Sequence, residues 1–131
     1  MLLLSGLNDD YSHDGRVLVE ALQNNVLPKS LRESELSFIL LANVYKQITA
    51  PVGFLGLTSL QVSTRALGGD DAVYTKLEDK LSALTQQRDA LAAQIIQLLE
   101  GAEFNGTPID FKTAVSLVAQ ATQLLEEVQL L

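Results

Sequence analysis

AVYTKLEDKLSALTQQRDALAAQIIQLLE, residues 72–100, is the stretch that decides the fold. Tyr74, Leu77, Leu81, Leu84, Arg88, Leu91, Ile95 and Leu98 recur at alternating spacings of three and four, which draws one narrow stripe along an α-helix. At ~1.5 Å of rise per residue the helix is about 42 Å long. Only Arg88 interrupts its apolar seam. Such a stripe must meet another helix to leave water.

The partner follows directly in the chain. Gly101 and Asn105-Gly106 are expected to end the first helix. Thr107-Pro108-Ile109-Asp110 then opens a second: Thr caps, Pro takes the first helical position, and Asp110 favours the positive end of the dipole. Phe111, Ala114, Val118, Ala121, Leu125 and Val128 repeat the 3–4 spacing. Two stripes of equal period joined by a short loop make an antiparallel hairpin, about 72–100 and 108–129. The small Ala114 and Ala121 let its axes approach closely.

A hairpin is too narrow to bury a core alone, so it needs a third helix. Ser30-Leu31-Arg32-Glu33 matches a capping box. The helix it opens runs to about Thr49, with Leu36, Ile39, Leu40, Val44 and Ile48 on its buried side. Phe38, Leu41 and Ala42 widen that side so far that cover is needed on more than one flank. Pro51 and Gly53 close the helix. In residues 54–67, Leu57, Leu60, Thr64 and Leu67 fit a helical period, although Leu60 to Thr64 also alternates as a strand would. Helix is the favoured reading. Gly68-Gly69 breaks the chain, and Asp70 or Asp71 suits the next N-cap.

The fold expected is all-α: a three- to four-helix bundle over residues 29–131, preceded by an irregular segment at 1–28. In that segment Leu7 to Gly15 is polar and turn-rich. Arg16 to Gln23 suits a short helix, ended by Asn24-Asn25 and Pro28.

Composition removes several function classes. Apolar residues make up 47% of the 131, so the chain is not intrinsically disordered. With no Cys there is neither a disulfide framework nor a thiolate metal site. Nine basic residues against sixteen acidic ones give a net charge of −7, which disfavours nucleic acid as a partner. Residues 1–69 carry five basic and six acidic side chains, residues 70–131 four and ten. The acids of the second part sit between regular Leu and Ile, as on a solvated helix face. No apolar run approaches the ~18 residues of a membrane span. The opening Met1-Leu2-Leu3-Leu4-Ser5-Gly6-Leu7 lacks the basic start of an export signal, so localisation stays open.

Reactive chemistry is sparse. The single His, His13, lies near Asp9, Asp10 and Asp14. Hard-metal sites are sometimes that compact, but turns rich in Asp, Asn and Ser form for backbone reasons alone, and no metal site is assigned there. Arg88 has two readings. One is a functional polar residue in a buried groove. The favoured one is structural: it snorkels its head to solvent or pairs with a carboxylate across the helix interface, Glu126 or Glu127. Tyr45 and Tyr74 read as amphipathic edge residues of the core. Gly69-Asp70-Asp71 is explained by a break and an N-cap. Gly53-Phe54-Leu55-Gly56 lacks the Lys and the strand of a phosphate loop. Catalytic, cofactor-binding and metal residues are all expected to be absent.

One resemblance is more specific. Met1 to Leu7, a polar turn, and Asp14-Gly15-Arg16-Val17-Leu18 resemble a recurrent segment of the alkaline-phosphatase superfamily, which includes sulfatases and phosphodiesterases. There a metal-binding His-x-Asp-Ile-x-Pro-Thr opens a Leu-rich helix that ends at Gly and leads to Asp-Gly-Arg. The later part, from Asn43-Val44-Tyr45-Lys46 onward, is similar to helical C-terminal tails of large bacterial members. The resemblance implies the end of a catalytic domain followed by a helical extension. It places the two metal ions and the Thr, Ser or formylglycine nucleophile upstream of Met1. His13 does not match the metal-binding His of that motif. Asp14, Gly15 and Arg16 become a structural turn. The implied partner is a parent catalytic domain. The surplus of apolar positions on the 36–48 helix and at residues 1–7 suits an alternative, a free-standing module that associates through its helices, with the 74–98 seam pairing with another chain. Family members are commonly exported.

Overall fold

The computed structural model describes Leu18 and residues 21–131, without the side chain of Asn24. His13 and the turn expected at Asp14, Gly15 and Arg16 lie outside the described residues. A 3₁₀ turn at Asn24–Val26 leads into five helices: α1 (Lys29–Glu33), α2 (Glu35–Thr49), α3 (Phe54–Ala66), α4 (Asp71–Phe104) and α5 (Phe111–Gln129). There is no strand among the described residues. The fold is an all-α bundle.

Helices α4 and α5 form the hairpin, and α2 lies across both, most extensively on α5. Helix α3 folds back against α2, α5 and α4. Leu31, Leu41, Ile48, Ile95 and Val128 are fully buried where these elements meet. Each such side chain stabilises the fold by roughly 1.5–3 kcal/mol relative to exposure. Ala114 and Ala121 have no exposed surface at all. A larger side chain at either position would meet packed neighbours.

Local expectations are corrected in several places. The capping box at Ser30 does not form. Helix α1 starts at Lys29 after Pro28, without a side-chain cap, and Glu33 pairs with Lys29. The expected continuous helix to Thr49 breaks at Ser34 (φ −115°, ψ 26°). Both serines are instead committed to distant partners. The Ser30 hydroxyl donates to the Ala102 carbonyl, one of the last-turn carbonyls of α4 that no helical N–H reaches. The Ser34 hydroxyl accepts the buried Ile109 N–H at 2.9 Å. One short segment thus clips both ends of the α4–α5 loop.

Helix α4 is longer than its spacing suggests. It passes through Gly101 to Phe104, with Asn105 as C-cap and Gly106 at φ +67° turning the chain. Asp70 caps its start, accepting the Val73 N–H at 2.9 Å. Helix α5 starts later than Pro108. Its cap is Asp110, which accepts both the N–H and the hydroxyl of Thr113 at 2.8 Å. Its buried stripe is Ala114, Leu117, Ala121, Leu124 and Val128, while Phe111, expected inward, is exposed. On α2, Leu36 is likewise exposed, and Ser37, Phe38, Leu41, Ala42, Val44 and Ile48 are buried.

By length and composition alone, Glu35–Ala66 could cross a membrane, although no uninterrupted apolar run within it approaches ~18 residues. It is two helices, however, broken at 50–53, and 44% of its most apolar window is buried inside the bundle. The corner is tight. A Cβ on Gly53 would lie 2.5 Å from the Lys46 carbonyl oxygen, and one on Gly56 would lie 2.5 Å from that of Pro51. The Gln47 side-chain carbonyl accepts the Phe54 N–H at 3.0 Å and so caps α3.

Candidate functional site

The seam of α4 divides into two parts. Leu84, Leu91 and Ile95 are buried, Leu98 is half-buried against the core, and Arg88 is half-buried. Toward the N-terminus the helix leaves the core. From Asp71 to Ala83 every residue is exposed except the half-buried Leu77 and Leu81, and Tyr74 is exposed. Helix α5, with 19 residues against 34, is too short to follow its partner to that end. The expectation of one seam satisfied from Tyr74 to Leu98 therefore holds only for its second half.

Arg88 does not reach Glu126 or Glu127. Its Nε donates to the Asp89 carboxylate at 2.8 Å, and its terminal nitrogen lies 2.8 Å from the same oxygen. Glu127 instead accepts from Gln123 at 3.0 Å. The Arg88–Asp89 pair borders a shallow cleft of about 280 Å³, whose walls include Tyr45, Thr49, Ala92 and Ile96. Neighbouring opposite charges cancel there, leaving no unpaired cation to attract an anion. Among the described residues no group of three or more His, Asp or Glu side chains converges as a metal site would.

The surface with the strongest character belongs to α3. Leu55, Val62 and Ala66 are its buried residues. At 100° per residue, Leu57, Leu60, Thr64 and Leu67 fall on the opposite side, with Gln61 at its edge and Phe54 on the flank. All six are exposed, Leu60 at 66% and Leu67 at 75%. Periodicity drew attention to Leu57, Leu60, Thr64 and Leu67 as a helical stripe, and that stripe faces solvent. The signal for a second face was present in Leu55, Val62 and Ala66. So was the scarcity of charge: between Ala50 and Gly69 Arg65 is the only charged residue.

No family model matches this chain, and no curated protein or solved structure does either.

Proposed function

We propose that this chain is a non-catalytic helical module from the C-terminal side of an alkaline-phosphatase-like phosphoesterase, acting by packing or helix-mediated association. The observation that carries the association reading is the outward apolar stripe of α3, which this chain's own core leaves uncovered. Soluble surfaces rarely concentrate large apolar side chains without a partner. The non-catalytic reading is supported by the scarcity of nucleophile–base combinations in a sequence with one His and no Cys. The link to a phosphoesterase rests on the resemblance of Met1 to Leu22. Its test is the reading frame upstream of Met1. A frame that encodes His-x-Asp-Ile-x-Pro-Thr and a nucleophile motif supports the assignment, and a frame without them overturns it.

A free-standing association module is the second reading. It is favoured by the emergence of Tyr74, Leu77 and Leu81 beyond the reach of α5. That reading predicts stable self-association of the isolated chain, with no dependence on an upstream domain.

A further inference from the structure

We propose that Asn105-Gly106, in the loop between α4 and α5, is a self-modifying site. The Gly106 nitrogen closes on the Asn105 side chain and expels its amide as ammonia, and water opens the ring to aspartate or isoaspartate. The change loosens the loop that Ser30 and Ser34 clip.

Of the asparagines in the chain, Asn105 alone precedes glycine. Asn8, Asn24, Asn25 and Asn43 precede Asp9, Asn25, Val26 and Val44, whose Cβ atoms crowd the attacking nitrogen. Asn43 also lies within α2, where the helical ladder engages the N–H of its neighbour. Asn105 and Gly106 are both exposed. A Cβ on Gly106 would meet nothing within 4 Å, so its nitrogen is open to approach. The Asn105 and Thr107 N–H groups both donate to the Gly101 carbonyl, at 3.2 and 3.0 Å. That pattern passes over the nitrogen between them. Among the described residues the Gly106 N–H and the Asn105 side chain have no hydrogen-bond partner. Asn105 stands at ψ −1° and Gly106 at φ +67°. Turning the peptide between them toward the side chain breaks the Thr107 hydrogen bond and no other in the loop.

The chemistry needs no reagent but water. Gly106 loses its N–H proton to solvent, and its nitrogen bonds to the Asn105 Cγ. The Cγ–Nδ2 bond breaks, Nδ2 takes up a proton and leaves as ammonia, and a cyclic succinimide remains. Water that adds at Cγ restores the main chain with aspartate at 105. Water that adds at the main-chain carbonyl instead routes the chain through Cγ, which gives isoaspartate and a backbone longer by a methylene. Either product sets a carboxylate just past the last turn of α4, which already holds Glu100 and Glu103 and no basic side chain. Negative charge at a helix C-terminus opposes the dipole. The longer backbone also shifts Ala102, bonded to Ser30, relative to Ile109, bonded to Ser34.

Ageing the full 131-residue chain at mildly alkaline pH, followed by tryptic mass mapping, tests this. Trypsin cuts after Arg88 and Lys112 and releases a peptide in which Asn105 is the only asparagine. That peptide is expected to shift to the mass of the acid ahead of those that hold the other asparagines. It should also split into two species on a column, of which the isoaspartyl one accepts a methyl group from protein isoaspartyl methyltransferase. The shift should be lost in Asn105→Gln, whose longer side chain closes a larger ring. Aged wild-type chain should melt below fresh chain, whereas Asn105→Gln should melt alike before and after. A peptide that keeps its mass in the folded chain while it converts in guanidinium-unfolded chain overturns the inference. So does one that converts in neither. Conversion at Asn105 with an unchanged melting temperature overturns the loosening of the loop.

Discussion

Ser30 and Ala102 are separated by 72 residues, and a buried hydrogen bond joins the hydroxyl of one to the carbonyl of the other. Four residues on, Ser34 holds the Ile109 N–H in the same manner. The pair replaces the solvent that would otherwise satisfy the two ends of the hairpin loop. Ser30→Ala leaves a buried carbonyl without its partner, and Ser34→Ala leaves a buried N–H without one. Each substitution should cost about 1–3 kcal/mol, read as a lower midpoint in urea unfolding with an unchanged slope. A midpoint equal to wild type would show that water fills the vacated place.

Gly101 and Gly53 should respond to alanine in opposite directions. Gly101 lies inside α4, and a Cβ there meets nothing within 4 Å. Gly101→Ala should therefore stabilise by about 0.5–1 kcal/mol through the unfolded chain's lost freedom. Gly53→Ala drives a methyl onto the carbonyl oxygens of Lys46 and Gln47, 2.5 and 2.8 Å away. Backbone cannot yield there without opening the α2–α3 corner, so this variant should be destabilised by about 1–3 kcal/mol. Thermal melts of the two variants beside wild type check both signs.

The hairpin was readable from the sequence because Leu84, Leu91 and Ile95 on one helix and Ala114, Ala121 and Val128 on the other keep a strict period. Periodicity reports the direction of an apolar face and says nothing of what covers it. That is why the period of Leu57 and Leu60 marks a helix but not that this face lies in solvent, and why Tyr74 and Leu77 read as enclosed as Leu91. The break at Ser34 was not legible either. It is associated with a hydrogen bond to Ile109, 75 positions away, whereas a capping box is judged over four residues. Gly101 looked like a terminator, yet a helix tolerates glycine at a modest cost of ~1 kcal/mol when its neighbours are well packed.

Ala121→Leu tests how closely α5 approaches its neighbours. Ala121 has no exposed surface, so three added carbons must displace the helix or adopt strained rotamers. Overpacking of this kind typically costs about 1–3 kcal/mol. A lower melting temperature is expected, with Ala121→Ser affected less because its volume is nearly unchanged.

Two carboxylates should give opposite pH signatures. Burial pushes the Glu103 carboxyl above its ordinary range, and repulsion from Glu100 adds to this. A raised folded-state value means that Glu103 favours the fold at low pH and loses that contribution as pH rises through the folded value. Glu103→Gln should therefore melt higher than wild type at neutral pH, and the difference should vanish in acid. The Thr113 N–H holds the Asp110 carboxyl below its ordinary range, helped by the Thr113 hydroxyl and the charge of Lys112. Asp110 thus stabilises the fold above its unfolded value, and the contribution fades as pH falls through the folded one. Asp110→Ala should melt lower at neutral pH, with the gap closing in acid. Melts between about pH 3 and pH 7 separate the two.

The overhang of α4 has a hydrodynamic consequence. Its 34 residues make a rod about 51 Å long, whereas a ball of this chain length has a diameter of only about 36 Å. A single molecule must therefore drag more solvent than its mass implies and elute early from a sizing column. Its rotational diffusion is anisotropic as well, slower about the axes perpendicular to that rod.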